Sequence, residues 1–338
     1  MFPTFSAVTR VVGILTILGC LVKIFNLLAL YLRPSGLGRF IHKSRNGDRP
    51  WAMVTGATSG IGLAFAHELA SHGFNVVIHG RNHDKLSRVL SQLQAAFPMQ
   101  SFKSVIANAA TMTRTADQSI SSGKFEMVDF KAIQESLSSI NLTVLINNAG
   151  GGHCGSPTDP TCQPLRESSE DRIVGDFSLN GLFPLLLTRA LLPDLMRNSP
   201  SLVMNISSVA DKGLPLLTTY GASKSFIMTA TRSLRLEMQM EKDAQKDVEI
   251  LGIRIGKVTE AGGHKEAANL LLPSAQTMAK AALARAGHDN GVVVGYWGHA
   301  LQLLITQIIG LLPRSVEDNV LVKIMDQQRE YYDHLKQS

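Results

Sequence analysis

The chain has 338 residues, of which 45% are hydrophobic and 18% are charged, and its net charge is +6. This composition excludes a disordered chain, and the length predicts one domain of about 200–250 residues with additional segments. The positive charge does not indicate nucleic-acid binding, because the basic residues cluster after an apolar run and no basic patch interleaved with aromatic residues is present elsewhere.

Three cysteines do not provide a disulfide framework. Cys20 lies in the apolar run, whereas Cys154 and Cys162 share one loop with His153. Metal ligation in that loop is an alternative, but free thiols in a reducing compartment are favoured. The sequence therefore predicts no metal site.

The apolar run covers residues 11–32 and contains one charged side chain, Lys23. This length is sufficient to span a hydrocarbon core of about 30 Å. Arg10 precedes the run, and five basic residues follow it: Arg33, Arg39, Lys43, Arg45 and Arg49. The positive-inside rule then places the rest of the chain in the cytosol. We expect a membrane anchor, spanning or hairpin-like, rather than a signal peptide; an amphipathic or buried helix is the alternative.

Short apolar runs alternate with amphipathic segments from residue 51 onward. The predicted strands are 51–55, 74–79, 102–107, 142–147, 202–207 and 248–255. Helices are predicted over 61–72, 83–96 and 130–139. This alternation predicts an α/β protein with a Rossmann-like, doubly wound parallel sheet, in which ligands bind at the carboxyl ends of the strands.

A second apolar stretch covers residues 292–312. It predicts a helix that either lies on the bilayer surface or packs against the core or a dimer partner. We therefore divide the chain into a membrane anchor with its basic flank (1–50), a dinucleotide-binding catalytic domain (51–262) and a C-terminal lid or membrane-associated extension (263–338).

Three glycines follow the first predicted strand with the spacing G-x-x-x-G-x-G. Such glycines let the backbone approach a pyrophosphate at a helix N-terminus, although a structural tight turn has the same pattern. The Asn-Asn-Ala-Gly sequence that begins with Asn147 supports the first interpretation. The predicted cofactor contacts here are Gly56, Thr58, Ser59, Gly60, Ile61, Gly62 and Asn147.

The end of the second predicted strand indicates which dinucleotide is bound. NAD-binding proteins usually carry an acidic residue there, which holds the ribose 2′-hydroxyl. Gly80 occupies this place and Arg81 follows it. A cation without a carboxylate suits a 2′-phosphate, so the sequence favours NADPH; a solvated surface arginine is the alternative.

Two residues are candidates for a contact with the adenine. Asn108 follows the third predicted strand, whereas Asp129 directly precedes the predicted helix 130–139. A helix-preceding aspartate is typical of an N-cap, so Asn108 is favoured. The Thr- and Ser-rich stretch 110–124 is then predicted to be a surface insertion.

Tyr220 and Lys224 lie four residues apart, soon after the pair Ser207-Ser208. A phenol has an ordinary pKa of about 10, and a lysine one helical turn away can lower it by its charge. A serine hydroxyl can hold a substrate oxygen beside the phenol. This group of side chains predicts a site that transfers a proton to a carbonyl while the cofactor supplies a hydride.

These residues resemble the short-chain dehydrogenase/reductase family over residues 51–262. The glycine turn, the Asn-Asn-Ala-Gly sequence, Asn180, the serine and Tyr-x-x-x-Lys occur in the family order. The sequences around Asn205-Ile-Ser-Ser, Pro215-Leu-Leu-Thr-Thr-Tyr220 and Gly295-Tyr-Trp-Gly-His-Ala300 are similar to one branch, the very-long-chain 3-oxoacyl-CoA reductases and 17β-hydroxysteroid dehydrogenases. That resemblance implies an endoplasmic-reticulum membrane protein that uses NADPH.

The resemblance also implies roles for individual side chains. Tyr220 is the proton donor, Lys224 lowers its pKa and binds the nicotinamide ribose, and Asn180 helps to hold a water that relays protons. Ser208 orients the carbonyl, although the family serine usually lies thirteen residues before the tyrosine, which is the position of Ser207. A one-residue loop deletion makes Ser208 the favoured serine.

A second departure from the family pattern follows the sixth predicted strand. The family sequence Pro-Gly-x-Val-x-Thr is replaced by Ile255-Gly-Lys-Val-Thr-Glu260. Val258 is retained, and the resemblance implies a backbone contact between this residue and the cofactor carboxamide.

The sequence thus predicts a membrane-anchored, NADPH-dependent reductase of a hydrophobic ketone, with a 3-oxoacyl thioester, a steroid or another lipid-like or polycyclic ketone as substrate. A homodimer is possible. One alternative is an NAD(P)-dependent dehydrogenase that oxidises an alcohol or hydroxysteroid, and another is a non-catalytic membrane scaffold that retains the fold. The intact Tyr220, Lys224 and Asn180 argue against the scaffold.

Overall fold

The computed structural model describes residues 3–111, 128–152, 162–241, 247–261, 266–310 and 313–337. Within these residues, a parallel sheet of seven strands has the order β3-β2-β1-β4-β5-β6-β7. The strands are β1 (Pro50–Val54), β2 (Asn75–Gly80), β3 (Phe102–Ile106), β4 (Asn141–Asn147), β5 (Ser201–Ser208), β6 (Val248–Ile255) and β7 (Val292–Val294). The predicted α/β fold with a Rossmann-like parallel sheet is confirmed.

Helices cover both faces of the sheet. The α-helices of the described residues are α1 (Pro3–Leu32), α2 (Gly60–Ser71), α3 (His83–Ala96), α4 (Phe130–Leu137), α5 (Glu170–Phe177), α6 (Phe183–Arg197), α7 (Thr218–Met240), α8 (Ala275–Leu283), α9 (Trp297–Ile309) and α10 (Arg314–Gln337). Side chains of α2, α3 and α8 share one hydrophobic core with the sheet, and those of α4, α6 and α7 share the other. Every residue of β1, β4 and β5 is buried, as expected for strands covered on both faces.

The six predicted strands are confirmed, with ends that differ by at most one residue from the predicted ones. The seventh was missed. Its three valines open the apolar stretch 292–312, which was predicted to be helical throughout, and α9 begins only at Trp297. Three β-branched residues favour an extended edge strand, but such a short run gives no periodic signal.

The predicted apolar helix near the N-terminus is confirmed as α1. Among the described residues, one helix is long and apolar enough to cross a membrane, Ala7–Leu32, and its most apolar part is not buried against the protein. By contrast, residues 34–49, here called the strap, pack on the body: Leu37 and Phe40 are buried, and the Thr143 hydroxyl donates to the Phe40 carbonyl oxygen at 2.9 Å.

The same core continues into the C-terminal part of the chain. Ala275, Met278 and Ala282 of α8 pack in one core with Leu37 and Phe40 of the strap. β7 pairs with β6 and completes the sheet. Residues before position 50 and after position 262 therefore share a hydrophobic core with the catalytic domain between them.

Candidate active site

A cleft of ≈ 540 Å³ opens at the carboxyl ends of the central strands. It is lined by Gly56, Ser59, Gly60, Ile61, Gly62, Asn148, Ala149, Gly150, Gly151, Ile206, Ser207, Tyr220, Lys224, Ile255, Gly256, Lys257, Val258, Glu260 and Ala261. A groove of ≈ 720 Å³ at the opposite edge is lined by the strap, by residues 138–141 at the start of β4 and by residues 197–199 at the end of α6. We assign the site to the carboxyl-end cleft, because the predicted proton donor and the glycine turn both line it.

The glycine turn after β1 exposes backbone atoms, not covered by side chains, to the cleft. Gly56 has φ +64°, and a Cβ at Gly62 would lie 2.2 Å from the Gly56 carbonyl oxygen, so neither position accommodates another residue without strain. Helix α2 begins at Gly60, and the preceding Ser59 makes no side-chain cap. An open backbone and a helix N-terminus fit the pyrophosphate of a dinucleotide.

The end of β2 is closed to an acidic side chain. A Cβ at Gly80 would lie 2.8 Å from the Thr58 methyl carbon, so this position cannot carry the carboxylate typical of NAD-binding proteins without a shift of Thr58. Arg81 follows directly and is exposed. Neither Thr58 nor Arg81 is among the residues that line the cleft, and their contacts with the cofactor stay predictions.

His79 supports the glycine turn and was not predicted. It is buried at the end of β2, its Nδ1 accepts a hydrogen bond from the Gly56 backbone N–H at 3.3 Å, and its ring stacks on Phe183. Burial lowers the pKa of His79 to about 4, so the ring is neutral and can accept. A single histidine in an apolar strand gives no signal of such a role in the sequence.

Asn147 lies in the core rather than in the cleft. Its side-chain amide donates to Thr188 Oγ1 at 2.9 Å and to Asn205 Oδ1 at 2.7 Å. The next residue lines the cleft: Asn148 Nδ2 donates to the Thr55 carbonyl oxygen at 3.0 Å. The sequence therefore pointed to the correct motif, but the side chain at the cleft is that of Asn148.

The hydrogen bonds of Asn108 and Asp129 show that the two side chains have different roles. The Asp129 carboxylate accepts from the Ala132 N–H at 2.9 Å, which confirms the predicted N-cap of α4. Asn108 is exposed after β3, and its side chain accepts from the Ala110 N–H at 3.2 Å. Its contact with the adenine stays a prediction, and most of the predicted insertion 110–124 lies outside the described residues.

Tyr220 lies in the first turn of α7 beside Ser208, the last residue of β5. Ser208 acts on the phenol as a hydrogen-bond partner and lowers its pKa. Ser208 Oγ also accepts from the Ala210 N–H at 3.2 Å, which fixes the hydroxyl at the end of the strand. Ser207 is oriented differently, because its hydroxyl donates to the Lys224 carbonyl oxygen at 3.0 Å. This geometry favours Ser208 as the partner of the phenol.

The pKa of Tyr220 differs from the sequence-based expectation. Burial raises it, the hydrogen bond with Ser208 lowers it, and the charges of Asp176 and Asp211 raise it further. The Lys224 ammonium donates to the Ile206 carbonyl oxygen at 3.0 Å and lies 5.9 Å from the Tyr220 ring centroid. Burial is the largest of these effects, and a lowering of the Tyr220 pKa by Lys224 stays a prediction.

Asn180 lies in a π-helical turn, Ser178–Leu182, between α5 and α6. Its Oδ1 accepts from the Gly151 N–H at 3.0 Å, and its Nδ2 donates to the Gly151 carbonyl oxygen at 2.9 Å. A Cβ at Gly150 would lie 2.7 Å from Lys224 Nζ and 2.9 Å from Asn180 Oδ1. The side chains of Lys224 and Asn180 thus both lie next to Gly150, where only a glycine fits without displacing them.

Two buried charged residues on α5, Arg172 and Asp176, bond to residues next to Tyr220. Asp176 Oδ2 accepts from the Thr219 hydroxyl at 2.6 Å, directly before Tyr220 in the chain. Arg172, one turn earlier, donates to the Gly152 carbonyl oxygen at 3.0 Å, and Gly152 packs on the Tyr220 ring. The i, i+4 spacing of Arg172 and Asp176 was visible in the sequence, but their burial was not.

The remaining predictions concern Val258 and the cysteine loop. Val258 is buried and lines the cleft after β6. Cys162 is a buried free thiol, whereas His153 and Cys154 lie outside the described residues. Over the described parts of the chain, no group of three or more histidine, cysteine or acidic side chains is arranged to hold a metal ion.

The chain is similar in sequence to reductases of very-long-chain 3-oxoacyl-CoA. A very-long-chain 3-oxoacyl-CoA reductase-like protein of Arabidopsis thaliana is 31% identical over 272 residues, which cover 79% of this chain and 78% of that protein. A very-long-chain 3-oxoacyl-CoA reductase of Scheffersomyces stipitis is 29% identical, covering 89% of this chain and 81% of the relative.

Solved structures show the same fold at lower identity. A short-chain dehydrogenase from Sphingobium yanoikuyae in complex with NADPH has a TM-score of 0.57 at 20% identity, covering 78% of this chain and 96% of that chain. A 7β-hydroxysteroid dehydrogenase has a TM-score of 0.62 at 16% identity, covering 82% and 98%. The family model for short chain dehydrogenases matches residues 50–267, and the chain belongs to that family of oxidoreductases.

Proposed function

We propose that the protein is a membrane-anchored, NADPH-dependent reductase of hydrophobic ketones, with Tyr220 as the proton donor. The observation that carries this proposal is the position of Tyr220, which lines the same cleft as the glycine turn, while Ser208 acts on the pKa of the phenol as a hydrogen-bond partner. When bound there, the nicotinamide would supply the hydride. The residues of the chain would hold the carbonyl and deliver the proton.

The raised pKa of Tyr220 fits the role of a proton donor in reduction. A proton donor must keep its proton until negative charge develops on the substrate oxygen. Burial and two nearby carboxylates raise the pKa of Tyr220, so the phenol is protonated at neutral pH. Ser208 would present a second hydroxyl to the same oxygen, and Lys224 would hold the cofactor ribose. Alcohol oxidation would instead require the phenolate.

A 3-oxoacyl thioester with a long acyl chain is the substrate class that we favour. Two relatives that cover most of the chain are named as very-long-chain 3-oxoacyl-CoA reductases or as similar to them. Oxidation of NADPH should be measured with such a thioester, a steroid ketone and a polycyclic ketone side by side. Turnover of the thioester supports the assignment, whereas turnover of a steroid alone would move it to the hydroxysteroid class.

Replacement of Tyr220 by phenylalanine tests the proton donor. The ring and its packing remain but the acid is lost, so kcat should fall by about 10²–10⁴-fold while NADPH binding is unchanged. Lys224→Ala should impair both turnover and cofactor affinity. Ser208→Ala should lower kcat more than Ser207→Ala, because Ser208 meets the phenol. Undiminished turnover by Tyr220→Phe would favour the non-catalytic scaffold.

Arg81 should select the cofactor. Its guanidinium can pair bidentately with a 2′-phosphate, so Arg81→Ala should raise the KM for NADPH by about 10–100-fold and leave that for NADH nearly unchanged. Arg88→Ala, an exposed arginine on α3, is the matched control and should change neither value. Equal losses for both cofactors with Arg81→Ala would refute the assignment.

The charge of Asp176 should set the pH dependence of reduction. Its carboxylate raises the pKa of Tyr220, so Asp176→Asn should lower that pKa while an amide oxygen still accepts from Thr219. Reduction requires the protonated phenol and is lost as pH rises through its pKa. The alkaline limb of the kcat profile should therefore move to lower pH.

The control for this shift is Asp194→Asn. Asp194 is a buried carboxylate that accepts from Gln134 and pairs with Arg197, at the opposite end of α6 from Asn180. It should cost stability without moving the pH profile. An unchanged profile in Asp176→Asn would show that this carboxylate does not act on the phenol.

Attachment to the membrane should depend on α1, with a contribution from α9. The apolar side chains of α9 that are exposed are Trp297, Leu301, Leu304, Ile305 and Ile308. Tyr31 at the end of α1 donates to the Val294 carbonyl oxygen at 2.8 Å, three residues before α9 begins. Both apolar surfaces thus start from the same edge of the sheet, which supports a common contact with the bilayer.

Removal of residues 1–27 should release most of the protein from membranes and leave a folded enzyme. Leu304→Glu with Ile305→Glu should release the remainder, measured by flotation with lipid vesicles. Removal of residues 1–45 should instead lower the melting temperature sharply, because it deletes the buried Leu37 and Phe40. If the protein without residues 1–27 stays fully bound to membranes, α9 is the main anchor. If the intact protein does not bind membranes, both contacts are refuted.

A further inference from the structure

Helix α9 makes direct contact with the loop that closes one wall of the cofactor cleft. His299, in its first turn, is completely buried. The Gly256 backbone N–H donates to His299 Nδ1 at 3.0 Å, and His299 Nε2 lies 2.9 Å from the Lys257 carbonyl oxygen. One imidazole therefore bonds to both of the residues that directly follow β6.

These two bonds fix the form of the ring. Because Nδ1 accepts from a backbone N–H, the proton must be on Nε2, which donates to the Lys257 carbonyl oxygen. Burial lowers the pKa of His299, which keeps the ring in this neutral form at physiological pH. A protonated ring would have no acceptor for the Gly256 N–H.

The loop has other restraints, because Lys257 Nζ pairs with Glu266 at 2.9 Å and Val258 is buried, but these act on side chains, whereas His299 bonds to the backbone of Gly256 and Lys257. Residues 255–258 contain no proline, and the loop includes a glycine that faces the ring: a Cβ at Gly256 would lie 2.8 Å from His299 Cδ2. Gly256, Lys257 and Val258 all line the cleft opposite the glycine turn. Their backbone therefore forms part of the wall of the cleft.

We propose that His299 is a positioning residue that latches the loop after β6 in the conformation required for dinucleotide binding, an inference that rests on the proposed cofactor site. It does not touch the reacting atoms. Its contribution is to hold two peptide groups in place before the ligand arrives, so that binding does not have to order them. The latch also links the exposed apolar helix α9 to the cofactor cleft.

Loss of the latch should weaken cofactor binding selectively. His299→Ala should raise the Kd for NADPH, measured by NADPH fluorescence, at least about tenfold, because two hydrogen bonds that order the loop are lost. The KM for the ketone should change little. Tyr296→Phe is the matched control: it removes the bond from the Tyr296 hydroxyl to the Leu270 carbonyl oxygen (3.1 Å) one turn away and should leave the Kd unchanged.

Two conservative variants separate the latch from a general packing role. His299→Asn keeps an acceptor near the Gly256 N–H, and His299→Gln keeps a donor that reaches the Lys257 carbonyl oxygen. Hydrogen exchange of the full-length protein without added cofactor should therefore show faster exchange at Gly256 in the glutamine variant than in the asparagine variant. Equal exchange in wild type and both variants would overturn the latch.

The outcomes also separate this inference from the proposed function. If the wild type binds NADPH and all His299 variants bind it equally well, the latch is refuted while the reductase assignment stands. If the wild type binds no NADPH, the proposed function fails, and the exchange rates at Gly256 still decide whether His299 holds the loop.

Discussion

A buried network of side-chain hydrogen bonds aligns the parts of the site with one another. Asn147 at the end of β4 donates to Asn205 of β5 at 2.7 Å, and Asn205 donates to Thr231 of α7 at 2.8 Å. Thr231 lies two turns after Lys224 on the same helix. The network therefore fixes the motif after β4, the serine at the end of β5 and the helix that carries Tyr220 as one unit. Because these groups are buried, breaking one bond would leave a partner unsatisfied at a cost of about 1–3 kcal/mol.

The sequence was sufficient for those features that depend on local pattern. Continuous apolar runs located six strands, because strands of a parallel sheet are buried on both faces. The glycine spacing located the turn after β1, since Gly56 and Gly62 approach each other too closely for any side chain. Tyr220 and Lys224 were placed correctly on one face of a helix by their spacing alone.

The missed features depend on tertiary contacts. The sequence did not reveal that burial and the carboxylates of Asp176 and Asp211 raise the pKa of Tyr220. Asn147 was expected at the cofactor, yet its side chain joins the core network. His79 and His299 were not recognised, because nothing in a single sequence reveals which backbone groups a buried histidine will meet. The packing of the strap on the body was not predicted, because it depends on two buried apolar side chains, Leu37 and Phe40, and on bonds to distant residues such as the one from Thr143 to the Phe40 carbonyl oxygen.

The proposed reaction is the transfer of a hydride from NADPH bound in this cleft to a ketone carbon. The most direct test is incubation of the purified protein with NADPH deuterated at the reactive C4 position and a long-chain 3-oxoacyl thioester, followed by mass spectrometry of the product. We expect one deuterium on the carbinol carbon of the 3-hydroxyacyl product, with the yield strongly reduced in Tyr220→Phe. A protein that binds NADPH but transfers no deuterium to this thioester, a steroid ketone or a polycyclic ketone would contradict the account.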